Sequence, residues 1–598
     1  MNLLKPERIG IILSITGVSL FWAYLNSVRL SINLPIELLF LAVFMCASAL
    51  TISCIKTSKH KISVSSLLIL FVISYGMLTL YSFRYDGFGG PDTIGEYVIA
   101  SETLQSGIWP MESLDVGYGD RAGRYASCLS VTILPAVLSS VSGIDLLFVF
   151  KFILPLIGAF VPLLVYLLVD EIFKNKQVAL ICATLLAISH LQIFLLTYLF
   201  REQIANFFIV LTLYAALRFP KKFVIVAFAS LGIIFSNAGH ATADFSILLF
   251  AAFTITTLLF RIRKKDTKLS YLFSWKVLVF YVVATFSWLF FFANRLFVQH
   301  FSVLGNIIDD LATYLPGYIL RVLSTGSIFP STSLVAAGLP GSYLLQMWYY
   351  LSVVIVLFGW LFAFLRFRKD PTKASLIVYC FFMLSVFVFT LFAPGFIAEL
   401  DSSRVFADLF FPIFTGLAIS VPLLLERKRF SKFLKYASVI TFIFLFVSLP
   451  MNLNLPDYGR ILHYNSADVI RPEVRAYYFD VSFSEMAFAE WMKEYVPSDS
   501  WITVDQRGFN IPYLANHVNK TYVTSPIYSV KSDFMIINFL FIEDGIWVTP
   551  YHASYYPTRN ITWQDIATQD SIVFNDGTML MTRKVLNATT AALWHLSD

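Results

Sequence analysis

Charge is scarce in this chain. Only 14% of its 598 residues are Asp, Glu, Lys or Arg, against about 25% in a soluble domain. Most of its surface therefore cannot face water. Cysteine is equally thin. Of five cysteines, Cys46, Cys54, Cys182 and Cys380 fall in apolar runs and Cys128 stands alone, which excludes a disulfide framework and a metal-spaced pair. Neither a Walker-type phosphate loop nor a Rossmann fingerprint occurs, and "GFGG" at 87–90 lacks the spacing and the strand–helix context of either. Nucleotide sites of those two kinds are excluded. No internal repeat is visible, which argues against a repeat-built transporter. No small-residue cleavage site follows Lys5 and Arg8, so the first apolar segment reads as a retained helix rather than a removed signal peptide.

What the chain has in quantity is apolar surface. Hydrophobic residues make up 58% and aromatics 17%, arranged in runs of about 20 residues, the length that crosses a bilayer core. The net charge of +6 sits in short basic loops between the runs, which reads as membrane topology and not as nucleic-acid binding. These loops are "KTSKHK" (56–61), "FKNK" (173–176), "FPKK" (219–222), "RIRKKDTK" (261–268), "RFRKD" (366–370) and "ERKRFSKFLK" (426–435). All six are expected on the cytoplasmic side. Spans are expected near 9–29, 34–54, 62–82, 146–169, 178–198, 204–218, 223–236, 244–260, 276–293, 344–365, 374–394, 405–425 and 435–450. The segment 129–142, "LSVTILPAVLSSVS", decides the count. Taken as a crossing it would invert every later basic loop, and it is short, serine-rich and broken by Pro135. It reads as an interfacial helix on the outer face.

The expectation is thus an α-helical polytopic protein of the cell membrane, with about 13 transmembrane helices. Its N-terminus is cytoplasmic. Residues 1–450 form the transmembrane domain, including an outer loop 83–145 with interfacial helices, and 451–598 form a small extracytoplasmic α/β domain. In that tail, "SFSEMAFAEWMKEYV" (482–496) has helical periodicity, with Phe483, Met486, Phe488, Trp491 and Tyr495 available for one face. "SWITVDQ", "KTYVTSP" and "SIVFNDG" read as strands. The sequons at Asn519, Asn560 and Asn587 all fall in this tail, as an exposed outer domain requires.

The same topology brings polar residues to the outer face. The stretch "RYDGFGGPDTIGEYVIASETLQSGIWP" (84–110) concentrates Asp86, Asp92, Glu96 and Glu102 just after a span. Arg201 and Glu202 in "YLFREQIAN", His240 in "SNAGHATAD", Arg295, and Arg404 in "AELDSSRVFAD" are expected at the same membrane depth. Ionisable residues near a bilayer are costly and tend to line a cavity or pathway. Arginines offer a planar fork for phosphate oxygens, and a carboxylate partly withdrawn from water accepts a proton from a hydroxyl nucleophile. Each residue also has a plainer reading. Asp92 can be a helix N-cap, Asp86 a turn residue and Glu102 a solvated helix face. Arg201 and Glu202 can form a helix-end cap or a local ion pair. His240 can hydrogen-bond a neighbouring helix, and Arg404 can pair with Asp401 or Asp408.

The plan of spans, a long acidic first outer loop and a soluble tail resembles the GT-C glycosyltransferases, most of all their archaeal cell-envelope members. The likeness rests on "GPDTIGEY" (90–97) and "YLFREQ" (198–203). It implies a GT-C-like fold and transfer of a hexose from a polyprenyl (dolichyl) phosphate-linked donor to a glycan, lipid-linked or protein acceptor. Asp92, with Glu96 as the second candidate, matches the loop carboxylate that acts as base or binds metal. Glu202 matches a second-loop acidic position that in some members helps hold a divalent ion, Mg or Mn. Arg404, aided by Arg201, Arg295 and His240, is the expected substrate and phosphate site, and direct displacement would invert the anomeric carbon. Three other functions stay open: an oligosaccharyltransferase, although its tail motif WWDYG is missing here, a transporter or lipid flippase, and a non-catalytic scaffold that displays the outer domain.

Overall fold

The computed structural model describes residues 6–29, 34–57 except 36, 61–79, 82, 91–109, 126–187, 200–219, 222–236 and 275–292. It also describes scattered positions between 359 and 377, residues 483–497 and 500, and five strand segments of the tail. The chain is mostly helical and divides into two compact units. One is Met1–Arg84 with Gly123–Met451, and the other Tyr85–Ala122 with Asn452–Asp598. Residues 85–122 of the outer loop thus group with the tail.

In the first unit, α1 (Pro6–Arg29), α2 (Glu37–Lys56) and α3 (Val64–Leu78) pack as neighbours. Their approach is close because small residues sit at the crossings: a Cβ at Gly17 would lie 2.9 Å from the Ala42 carbonyl oxygen. Such small-residue seams are how apolar helices gain packing in a membrane, where burial alone offers no drive. Ser63 caps α3, accepting from the Ser66 amide. Trp22 of α1 donates its indole N–H to the Gly76 carbonyl at 3.2 Å and stands edge-on to Tyr75.

A short helix, α4 (Pro91–Ser106), belongs to the second unit. Back in the first unit, α5 (Ile133–Ser142) is ten residues long, about 15 Å, and cannot span a core of about 30 Å. Pro135 does not break it, contrary to the sequence expectation. As the third residue it falls in the first turn, where an amide hydrogen would have no helical partner anyway. Gly143 ends α5 in the left-handed conformation (φ 69°), and Asp145 starts the next helix by accepting from the Leu147 and Phe148 amides. Two caps one residue apart make this a tight corner. The turn before α5 is fastened to another helix: Ser130 donates from its hydroxyl to the Ser236 carbonyl (2.9 Å) and from its amide to that of Phe235 (3.3 Å).

The helix α6 runs 28 residues, Leu146–Phe173, interrupted by a π turn at Val149–Ile153. Among the described residues, α6 and the Glu37–Cys54 stretch of α2 are both long and apolar enough to cross a bilayer. The "FKNK" loop is a two-residue reversal. Lys174 adopts the left-handed conformation (φ 51°), and Asn175 caps α7 (Lys176–Ala187), accepting from the Gln177 and Val178 amides. Three further helices follow, α8 (Phe200–Arg218), α9 (Phe223–Ser236) and α10 (Trp275–Phe291). Phe208 of α8 lies over Gly232 of α9, and Phe235 meets Trp288 of α10 edge-on at 4.9 Å. Expected spans at 244–260 and from 344 onward lie wholly or largely outside the described residues.

In the second unit, α11 (Phe483–Tyr495) buries Phe488, Ala489 and Met492, with Val496 just beyond it, a stripe spaced for one helical face. The face differs from the expected one at its end. Tyr495 is 60% exposed, and its hydrogen bond with Glu494 raises the phenol above its ordinary value. Five strands, β1 (Ile502–Val504), β2 (Thr521–Val523), β3 (Phe534–Asn538), β4 (Ser571–Asn575) and β5 (Met579–Arg583), form one sheet in the order β2-β1-β3-β5-β4. β1 pairs in parallel with β2 and β3, while β5 pairs antiparallel with β3 and β4.

Candidate active site

Two groups of candidate residues fall within the described parts, one in each unit. The first is on α4. Pro91 opens this helix, suited to the first position because its fixed φ is helical and its missing N–H costs nothing there. Asp92 is therefore the second residue, inside the first turn and not at the cap, where a carboxylate favours the positive end of the helix. Its side chain lies outside the described residues. Glu96 follows one turn later, at 0% exposure. Thr93, Ile94, Val98, Ile99 and Ala100 are buried around it, so the first half of α4 runs through a packed interior. The second half emerges. Glu102 is half-buried, and Gln105 and Ser106 are exposed. Of the four carboxylates in the 84–110 stretch, the described structure thus buries Glu96 and leaves Glu102 near water. A carboxylate withdrawn from water must be hydrogen-bonded or charge-compensated, and that is the environment in which acid–base groups are tuned.

The second group is at the start of α8. Arg201 is 6% exposed, and its Nε lies 3.9 Å from Glu202 Oε1. That is long for an ion pair, since strong ones close to about 2.8 Å. Neighbouring residues on a helix point about 100° apart, so the pair cannot close tightly without bending both side chains. Directly after Glu202, the Gln203 side chain lies across Gly158 of α6 and beside Leu78 of α3, leaving no room for a Cβ at 158. Asn206 is 1% exposed, and neither of its amide atoms has a hydrogen-bond partner among the described residues. An apolar groove of ≈ 470 Å³ lies beside Phe160, Leu164, Tyr166 and Phe207.

The sequence reading missed Lys151, Gln203 and Asn206. The signal for Lys151 was present, as a lysine inside the apolar run "VFKFILP". It is 8% exposed and lies in the π turn of α6. Two side chains bind that turn's carbonyls: Ser82 donates to Lys151 O at 2.8 Å, and Tyr75 to Phe152 O at 3.0 Å. Phe150, the residue before Lys151, meets Phe200, the residue before Arg201, edge-on at 5.8 Å. The remaining expected residues, His240, Arg295 and Arg404, lie outside the described residues.

Glu202 and Asp92 were expected to hold a divalent ion. Among the described residues no three His, Cys, Asp or Glu side chains are grouped to bind one, and the guanidinium of Arg201 next to Glu202 opposes a second cation there. The side chain of Asp92, the other expected ligand, lies outside the described residues.

No protein-family model matches the chain. No curated protein matches its sequence. Among solved structures it is similar to the Archaeoglobus fulgidus oligosaccharyltransferase in its apo form, at 12% identity over 79% of this chain and 70% of that one, with a TM-score of 0.42. It is also similar to the archaeal oligosaccharyltransferase AglB from Archaeoglobus fulgidus in complex with an inhibitory peptide and a dolichol-phosphate (14%, 79% and 69%, TM-score 0.43). A third likeness is to ArnT from Cupriavidus metallidurans bound to undecaprenyl phosphate (11%, 88% and 99%, TM-score 0.36). These are likenesses of outline.

Proposed function

We propose that the chain is a membrane glycosyltransferase of the GT-C kind, moving a hexose from a polyprenyl (dolichyl) phosphate donor to a glycan, lipid-linked or protein acceptor on the outer face. The observation that carries this reading is Glu96, a fully buried carboxylate one turn after Asp92 on a helix of the outer loop. It suits a reaction in which an acceptor hydroxyl must lose its proton. Asp92 or Glu96 takes that proton as the acceptor oxygen attacks the anomeric carbon. The bond from that carbon to the phosphate oxygen breaks, the electron pair stays on the phosphate, and the configuration inverts. Arg404, with Arg201, Arg295 and His240, holds the phosphate and stabilises the charge that develops on it. The lipid tail stays among the spans.

The test is transfer from a panel of polyprenyl-phosphate sugars by the purified full chain, beside Asp92→Asn and Glu96→Gln. Transfer by the wild type, with a loss of about 10²–10⁴-fold in at least one variant, supports the reading. Movement of lipid-linked sugar across vesicles without any transfer would assign the chain to the flippases instead.

A further inference from the structure

We propose that Gln203, seated on Gly158 of α6, is a positioning residue for the donor phosphate: it fixes the first turn of α8 and with it the place of the Arg201 guanidinium. This rests on the glycosyltransfer reading and on Arg201 as one of its phosphate residues. Two prolines in α6 prepare the seat. Pro155 and Pro162 have no amide hydrogen, so the carbonyls four residues earlier, those of Lys151 and Gly158, lose their regular helical donors. At the first break the chain takes a π turn over Val149–Ile153, and the break is tied. The Ser82 hydroxyl donates to the Lys151 carbonyl at 2.8 Å, and the Tyr75 hydroxyl to that of Phe152 at 3.0 Å. At the second, Gly158 carries no side chain, and Gln203 of α8 and Leu78 of α3 close over it. A Cβ at 158 would lie 3.0 Å from Leu78 Cδ1 and collide with Gln203 Oε1. A further contact on α8 is Phe200 against Phe150, edge-on at 5.8 Å. Phe200 and Gln203 are an i, i+3 pair and share one face of α8, and their partners come before and after Pro155 in α6. The first turn of α8 is thereby fixed in rotation as well as in height. Arg201 falls between the two contacts, about 100° round the helix from Phe200, and is buried there with its Nε 3.9 Å from Glu202 Oε1. Glu202 offsets part of its charge, so the placement of the guanidinium fork decides what it does for a phosphate. A group about 6 Å from the helix axis moves about 1 Å when the helix turns by about 10°, and misplacement of about 1 Å can cost roughly 10²-fold.

Binding of decaprenyl phosphate to the full chain in detergent, measured beside a thermal melt, tests this. Gln203→Ala removes the seated amide and Gly158→Ala displaces it, and each should weaken binding about tenfold or more. The double variant Gly158→Ala/Gln203→Ala should bind more tightly than Gly158→Ala alone, because the new methyl then has room. Should Gly158→Ala fail to fold, Gln203→Asn stands in; it keeps the amide, shortens its reach and should weaken binding about threefold. Phe208→Leu loosens the same helix where it lies over Gly232 of α9, so it should lower the melting temperature and leave binding within about twofold. Arg201→Met, or Arg201→Lys if the former does not fold, should weaken binding too. Adding Gln203→Ala to it should change little, since residues that act through one group are not additive. Gln203→Ala and Gly158→Ala proteins that bind like wild type overturn the proposal, as does a fully additive loss in the Arg201 cycle. Weakening by Phe208→Leu to the same extent overturns it by reducing the seat to general packing, and so does a wild type that does not bind decaprenyl phosphate. A wild type that shows the expected binding pattern but transfers no sugar retains the seat and removes the glycosyltransferase reading. Wild-type sugar transfer that stays intact in Gln203→Ala and Gly158→Ala does the reverse.

Discussion

Glu96→Gln separates catalysis from architecture because the two readings move stability in opposite directions. Glu96 is at 0% exposure within a helix half whose other residues are nearly all buried. Gln has the same shape but cannot accept a proton. If Glu96 is the base, transfer slows by about 10²–10⁴-fold, equivalent to about 2.7–5.5 kcal/mol of transition-state stabilisation. Folding meanwhile changes little or improves, because burying an ionised carboxylate costs several kcal/mol that the amide avoids. If Glu96 is instead one half of a structural buried ion pair, the substitution strands the partner and costs about 3–5 kcal/mol, a fall of roughly 6–20 °C in Tm. The assay is initial-rate sugar transfer at saturating donor, run beside a thermal melt on the same preparation. A slow enzyme with an unchanged melt is the expected result, and Asp92→Asn measured in parallel shows how the work divides between two positions one turn apart. Full activity in both variants would refute the reasoning, since the acidic loop would then take no part in the chemistry.

Three other outcomes are expected. Arg404→Lys keeps the charge and loses the two-pronged geometry, so the donor KM should rise with normal expression, whereas an unchanged KM in Arg404→Ala reduces Arg404 to a helix-end ion pair. A cysteine introduced in 261–268 should resist impermeant thiol reagents in intact cells while one near 560 labels, and labelling at 261–268 would invert the topology. Asn206→Leu removes two buried polar atoms that lack partners among the described residues and should raise stability by about 1–3 kcal/mol. A lower melting temperature in that variant would show that the amide holds something the bare chain does not.

Helices with strong apolar runs were legible in the sequence to within a few residues. The run expected at 9–29 is a helix over Pro6–Arg29, that at 223–236 over Phe223–Ser236, and the tail helix read at 482–496 runs Phe483–Tyr495. Burial of about 20 apolar residues leaves little choice of conformation in lipid. What escaped notice was set by tertiary contact. Lys151 reads as one interruption in an apolar run, and nothing local announces a π turn whose carbonyls are held by residues some 70 positions earlier. Gln203 and Asn206 lie inside the quoted "YLFREQIAN" yet draw no attention until Gly158 is seen beneath the Gln203 amide. Strands β3 and β5 were also missed, because "FMIIN" and "MLMTR" carry no polar alternation and cannot be told from short helix by pattern alone. At the candidate site, the acidic pair on α4 was visible as spacing, but the contrast between buried Glu96 and half-buried Glu102 required the fold.

The latch between Ser130 and α9 tolerates sequence change on one side only. Both of its acceptors are main-chain carbonyls, those of Phe235 and Ser236, which every residue type carries. Substitution on α9 leaves those acceptors in place, whereas replacing Ser130 by a residue without a hydroxyl removes one of the two donors and keeps the other.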